Sequence, residues 1–128
     1  MALSVKMLTY TADATERDVT GVGFTPKLAA THNPINYDNL VWTHTSIQPA
    51  QTLFTGGGGI WGSGFLNLNS DGFRLAALGA HANNGWLNDN AVPATYYALC
   101  LAGDDIAVGT YTGDGGGART ITGLGWQP

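Results

Sequence analysis

Charged side chains are scarce in this 128-residue sequence. They make up 11% of it, against about 25% in an average soluble domain. The five basic residues stand singly along the chain, and the formal net charge is -4. Without a basic stripe to neutralise phosphates, direct binding of nucleic acid is not expected.

Cysteine and long apolar runs are also lacking. Cys100 is the single cysteine, which excludes an internal disulfide, and its place in the apolar run 96–102 indicates a small buried hydrophobe rather than a nucleophile. No apolar stretch approaches about 18 residues, and the first residues lack the charged start and apolar run of a signal peptide. We therefore predict no membrane contact and synthesis in a cytoplasm.

Groups that carry catalysis or hold cofactors are not brought together by any recognisable motif. His32, His44 and His81 lie far apart, and the adjacent acids 104–105 are typical of a turn. The segment 57–62 has the glycine spacing of a dinucleotide-binding fingerprint, but the strand-turn-helix context of that fingerprint is missing. The sequence therefore predicts no enzyme, no metal site and no cofactor.

Hydrophobic residues are plentiful at 44%, and the 19 glycines are about twice the usual share of roughly 7%. Apolar residues do not recur at helical spacing over three turns, whereas short alternating or apolar windows recur between Gly, Asn, Asp and Pro. The pattern predicts a single all-β domain over residues 1–128, an antiparallel β-sandwich or barrel of about eight to ten short strands. The candidate strands are residues 3–11, 18–24, 27–31, 39–45, 64–69, 73–78, 95–102, 106–111 and 119–126, with one short helix allowed at 75–80.

One hairpin is indicated by purely local chemistry. Asn69-Ser70-Asp71-Gly72 separates the apolar segments 65–68 and 73–75. Because Asp-Gly readily supplies the positive φ that a tight hairpin turn needs, we expect the chain to reverse there.

The sequence repeats itself near its two ends. Residues 9–13 return as 110–114 and residues 17–26 return as 119–128, with nine of the fifteen aligned pairs identical. Three further pairs keep an apolar side chain: Val19/Ile121, Val22/Leu124 and Phe24/Trp126. We predict one β-loop-β unit used twice with the same backbone path. The first copy continues into residues 27–30, whereas the second ends, so a neighbouring subunit is expected to supply its next strand.

These repeated segments resemble a β-rich repeat unit of tailed-bacteriophage virion proteins. The resemblance rests on the Tyr-Thr-Gly-Asp-Gly and Arg-Thr-Ile-Thr-Gly-Leu-Gly-Trp-Gln-Pro segments, on Asn-Ser-Asp-Gly-Phe-Arg-Leu, and on Tyr-Tyr-Ala-Leu-Cys-Leu-Ala-Gly, which together span most of the chain. It implies a structural virion protein, most simply a capsid decoration or cement protein that contacts the major capsid protein or another virion protein. The chain holds one copy plus the opening of another, without a coiled-coil or collagen-like shaft, which favours a small stand-alone protein over a long fibre.

The expected assembly is a closed homo-oligomer whose subunits share the two repeat units across an interface. A trimer is what the resemblance implies, since decoration proteins commonly occupy threefold positions. The predicted interface residues are Tyr10, Arg17, Phe24, Pro26, Tyr111, Arg119, Trp126 and Pro128.

The composition of two predicted loops, 56–62 and 81–90, leaves a second function possible to test. Trp61 and Trp86 lie in these Gly- and Asn-rich segments, and Asn83 and Asn84 lie close to Trp86. Aromatic rings next to amides are typical of sugar contacts, so the alternative is a receptor- or carbohydrate-binding module of a phage tail tip or fibre. Loop tryptophans that fold back on the core or anchor a protein interface give the same pattern.

Overall fold

The computed structural model describes residues 2–33, 37–49, 51–54, 60–62, 64–77, 85–88, 95–118 and 120–123. Within them the chain forms nine strands and one four-residue helix, so the predicted all-β class is confirmed. The elements are β1 (Ser4–Thr11), β2 (Arg17–Val19), β3 (Leu28–Asn33), β4 (Tyr37–His44), β5 (Gln51–Phe54), β6 (Ile60–Gly62), β7 (Phe65–Asn69), β8 (Gly72–Leu75), α1 (Gly85–Asn88) and β9 (Thr95–Ala102).

The strands form two antiparallel sheets. One has six strands in the order β1-β9-β3-β4-β5-β6, and the other has three in the order β2-β8-β7. The buried side chains of both sheets form one cluster, an arrangement consistent with a β-sandwich. At its centre the Tyr10 ring stacks on Tyr96 at 5.2 Å between centroids and meets the edge of Phe73 at 5.9 Å, while Phe65 packs on Phe73 at 5.2 Å.

Period-two burial shows that β9 has one face towards the core and one towards the outside. Tyr96, Ala98, Cys100 and Ala102 are buried, whereas the residues between them are exposed or half-buried. Since successive side chains of a strand point to opposite faces, this one strand supplies a row of the core and a row of the outer surface.

Strand prediction succeeded where the local residue pattern is clear, and it failed at several short segments. The predicted segments at β1, β3, β4, β7 and β9 are strands, but 18–24 contributes only β2, and 73–78 contributes only β8. Residues 106–111 and the described part of 119–126, residues 120–123, form no strand. The structure adds β5 and β6 as a pair, although β6 falls in the glycine-rich segment predicted to be a loop.

The short helix also differs from the expectation. Leu75 ends a strand and residues 76–77 are irregular, while 78–80 lie outside the described residues. A four-residue helix, α1, occurs instead inside the segment 81–90 that was predicted to be a loop.

The predicted hairpin is present, with its turn one residue earlier than expected. Asn69 pairs with Gly72, which places Ser70 and Asp71 in the loop. Gly72 has a φ of +153°, and a Cβ atom there would lie 2.0 Å from the Val19 carbonyl oxygen. Glycine is therefore needed at this position because the backbone of β2 approaches it closely.

Candidate functional site

An exposed apolar strip runs along the outer face of the six-stranded sheet. Val5 and Met7 on β1 pair with Leu101 and Leu99 on β9, so these side chains share one face. Val5 is 54% and Met7 66% exposed, and Tyr97 on the same face is 48% exposed. We call Leu3, Val5, Met7 and Tyr97 the β1 strip. A shallow groove of about 330 Å³ along it is lined by Met7, Leu8, Thr9 and Tyr97.

The β1 strip lies at the edge of the sheet, with Val5 and Met7 on the edge strand and Tyr97 on its neighbour β9. Among the described residues, β1 pairs only with β9, so one side of this eight-residue strand faces away from the sheet. Its single charged residue is Lys6. Long edge strands with few charges are prone to pair with another chain, and large exposed apolar patches mark interaction sites. The edge and the strip together form a surface suited to protein contact.

A second feature is the first copy of the repeat, residues 9–23, which we call the first unit. It turns at Asp13, whose Oδ1 atom accepts hydrogen bonds from Thr15 N at 2.9 Å and Thr15 Oγ1 at 2.8 Å. Ala14 between them has a positive φ of 66°. The Thr15 bonds and the nearby Arg17 lower the pKa of the Asp13 carboxyl. The turn is thus held by a side chain that bonds its own backbone two residues on.

The first unit is held by the tip of the β7–β8 hairpin, which we call the acceptor hairpin. The Asp71 carboxylate accepts hydrogen bonds from Gly21 N at 3.0 Å and Gly23 N at 2.5 Å, and the Asp71 carbonyl accepts one from Val22 N at 3.1 Å. The bonds from Gly21 and Gly23 lower the pKa of the Asp71 carboxyl. Three consecutive amides thus donate to Asp71, two to its carboxylate and one to its carbonyl, and residues 20–24 follow these bonds instead of continuing β2 along the sheet.

Pairing and ion contacts extend this attachment along β8. β2 pairs with β8 over Arg17–Val19. The Arg74 guanidinium lies 2.8 Å from the Glu16 carboxylate and 3.1 Å from the Asp18 carboxylate. Because these ion contacts are largely exposed, their contribution to stability is small.

The apolar side of the first unit enters the core. Tyr10, Val19 and Val22 are 7%, 4% and 4% exposed. The Tyr10 hydroxyl donates a hydrogen bond of 2.7 Å to the Leu87 carbonyl oxygen of α1, and burial raises the pKa of Tyr10. The first unit is thus an integral part of the domain.

Asn88 connects α1 to the turn of the first unit. Its side chain is completely buried. The Asn88 Nδ2 atom donates to the Thr15 carbonyl at 2.7 Å and the Ala76 carbonyl at 2.9 Å, and Oδ1 accepts from Asp13 N at 3.3 Å. Asn88 lies in the segment 81–90 that was predicted to be a loop, but its side chain bonds to three backbone groups and is not exposed for ligand contact.

The described part of the second copy, residues 110–118 and 120–123, which we call the second unit, has the same turn in a different environment. Asp114 Oδ1 accepts a hydrogen bond from Gly116 N at 2.9 Å, as Asp13 does from Thr15. Gly115 has a φ of +70° where Ala14 has 66°, and Gly123 has +93° where Gly21 has +94°. The two copies share these turn conformations, but the second forms no strand in its described residues. A common backbone path for the whole unit stays a prediction.

Exposure separates the two copies clearly. Tyr111 is 69% exposed where its counterpart Tyr10 is 7% exposed, and Ile121 is 44% exposed where Val19 is 4% exposed. Two apolar side chains that are buried in the first unit, Tyr10 and Val19, therefore have exposed counterparts in the described part of the second.

The segment that leads into the second unit is anchored to the domain. The turn predicted at 104–105 is present. The Lys27 ammonium donates to the Gly103 carbonyl at 2.6 Å and the Ile106 carbonyl at 3.4 Å, and Ser46 Oγ donates to the Val108 carbonyl at 3.0 Å. These bonds fix the point from which the second unit departs.

The predicted interface residues divide between core and surface. Tyr10 and Pro26 are buried, Phe24 packs against the core, Arg17 is half-buried and Tyr111 is exposed. Arg119, Trp126 and Pro128 lie outside the described residues. Of the described members, Tyr111 is the one available on the surface, and an interface role for the whole set stays a prediction.

The predicted glycan contacts are located only in part. The backbone of Trp61 lies in β6 and that of Trp86 in α1. Their side chains, like residues Asn83 and Asn84, are outside the part of the chain that the structure describes. The structure therefore brings no described side chains together as a sugar site.

Titratable groups in the interior have physical explanations of their own. Burial lowers the pKa of His44, whose Nδ1 atom has no hydrogen-bond partner among the described residues, and raises the pKa of the Cys100 thiol to about 12. Within the described ranges no three His, Cys, Asp or Glu residues are grouped to hold a metal ion. None of the described helices has the length and apolar character needed to span a membrane.

No family model, curated protein or solved structure matches this chain. The resemblance to phage virion repeats therefore stays a prediction from the sequence.

Proposed function

We propose that this protein is a structural component of a bacteriophage particle that acts by protein–protein contact, as a capsid decoration or cement protein without catalytic activity. The observation that carries the proposal is the β1 strip, an apolar surface at the edge of the sheet. The low charge of the sequence and the resemblance to virion repeats support it.

The size of the strip favours binding at several points at once. Its four side chains are each about half exposed or more. Complete burial of a large apolar side chain contributes about 1.5–3 kcal/mol, so covering these four would contribute roughly 3–6 kcal/mol. Association costs an estimated 4–15 kcal/mol in lost freedom of motion, so a single strip gives weak binding. Repeated contacts on a particle, or in a homo-oligomer such as the trimer proposed from the sequence, raise the effective affinity without any new chemistry.

Quantitative mass spectrometry of purified virions tests the location. The protein is expected in a copy number comparable with that of the major capsid protein. A few copies per particle would instead favour the tail-tip or fibre alternative, which a glycan array with wild type and Trp86→Ala would then examine. Absence from purified particles would refute the proposal.

A binding assay on particles that lack the protein tests the surface. Met7→Glu places a charge in the middle of the β1 strip and should weaken binding about tenfold or more, since a loss of 1.4 kcal/mol is tenfold in affinity. Asn67→Glu introduces the same charge at an exposed position of β7 and serves as the matched control. Equal binding by both variants would exclude the β1 strip as the contact.

A further inference from the structure

We infer that the second unit is a docking segment for another polypeptide that presents an unfilled hairpin of the β7–β8 kind, with a carboxylate at its tip. This inference deepens the proposed function, because it names the type of partner that a second surface of the protein would bind. It starts from the two copies of the repeat, which have the same turn chemistry and opposite exposure.

The first unit shows how such a segment binds. Its strand pairs with β8, its glycine amides bond the Asp71 carboxylate, and Val19 enters the core beside Phe73. In the second unit, Gly123 corresponds to Gly21 and has the same backbone conformation. Ile121, which is also apolar, corresponds to Val19. Its described residues therefore include a counterpart of Gly21 and an apolar counterpart of Val19, and this Ile121 is 44% exposed.

The number of acceptor hairpins in the described chain limits which partner the second unit can bind. The described part of the chain contains one acceptor hairpin, and the first unit fills it. To dock on an identical folded chain, a second unit would have to displace that chain's own first unit. Equivalent contacts would be broken and formed, so the exchange would give no net gain in binding free energy. Docking is favourable only on a partner whose hairpin is unfilled. Identical chains can therefore share repeat units only if one of them first releases its own first unit.

The first test asks whether the sequence of the second unit fits an acceptor hairpin. Residues 17–23 and 119–125 differ at three positions, so Asp18→Thr/Val19→Ile/Val22→Leu places the second sequence in the first position. The full-length triple variant should stay folded, with a melting temperature lowered by less than about 10 °C. The control Asp18→Thr/Val19→Asn/Val22→Asn should unfold, because it places amides in the core. Equal loss of folding in both variants would overturn the inference.

The second test weakens attachment of the first unit, so that the acceptor hairpin of the full-length protein becomes unfilled. Gly21→Ala/Gly23→Ala strains the first unit, since both residues have positive φ, and added Cβ atoms would meet nothing within 4 Å. This variant should self-associate in concentration-dependent light scattering, relative to wild type, as the second unit of one chain fills the hairpin of the next. Adding Ile121→Asn should abolish the association.

Asp71→Ala provides the matched comparison. It also weakens attachment of the first unit, but it removes the acceptor carboxylate, so it should not self-associate. Circular dichroism confirms that each variant keeps its β structure before its mass is compared. A folded Gly21→Ala/Gly23→Ala variant with the mass of wild type, or association that persists with Ile121→Asn, would overturn the inference. Both tests use purified protein alone, so their failure is distinct from failure to enter virions.

Discussion

Replacement of Asn88 by alanine should be among the most destabilising polar substitutions in the described domain. The side chain is completely buried and makes three hydrogen bonds that join α1 to the turn of the first unit and to Ala76. The bond to the Ala76 carbonyl is buried, so its loss leaves an unpaired acceptor and costs about 1–3 kcal/mol. The two partly buried bonds, to Asp13 and Thr15, add about 0.5–1.5 kcal/mol each.

The expected loss is therefore about 2–6 kcal/mol of unfolding free energy, a large part of the 5–15 kcal/mol typical of a domain. Urea unfolding followed by tryptophan fluorescence measures it, provided that one transition is seen by circular dichroism as well. Asn67→Ala, at an exposed position of β7, is the control and should change stability by less than about 0.5 kcal/mol. Asn88→Asp should be at least as harmful as alanine, because a carboxylate cannot donate to two carbonyls. An Asn88→Ala loss below about 0.5 kcal/mol would refute the reasoning.

Three further outcomes follow from the same contacts. Gly72→Ala should strongly lower the melting temperature, since its Cβ would lie 2.0 Å from the Val19 carbonyl oxygen, whereas Gly109→Ala, which meets nothing within 4 Å, should not. Thermal stability should fall as the pH drops below about 4, because the folded-state pKa of Asp71 lies below its usual value of 3.8. The stability that the Asp71 carboxylate contributes above that pH is lost when it is protonated. Asp71→Asn should reduce this pH dependence, and an unchanged pH profile in the variant would contradict the prediction. Cys100 should resist thiol reagents at mildly alkaline pH and react once the chain is denatured, since burial raises its pKa to about 12; rapid labelling of the native protein would show that the thiol is accessible.

For the strands, predictability from the sequence followed the local residue pattern and not the distance between pairing partners. The hairpin at 69–72 depends on neighbouring residues and was found, although Ser70 and Asp71 form its loop where Asp71 and Gly72 were expected to. β1 and β9 pair across most of the chain and were found, whereas β5 and β6 pair at close range and were missed because they are short and flank the glycine-rich segment 56–59. Asn88 was missed as a structural residue because its partners, such as Thr15, are 73 positions away in the sequence.

The amino-acid sequence by itself determined the all-β class and the conformation of the repeated turns. In both copies an aspartate bonds the amide two residues on, which is a local interaction that needs no tertiary support. Which copy becomes part of the core was decided only by the tertiary structure. Gly21 and Gly23 reach a carboxylate 50 and 48 positions away, and the described chain offers a single hairpin of this kind. One copy is therefore buried, and the other keeps Tyr111 and Ile121 exposed because its local sequence contains no equivalent of that distant hairpin.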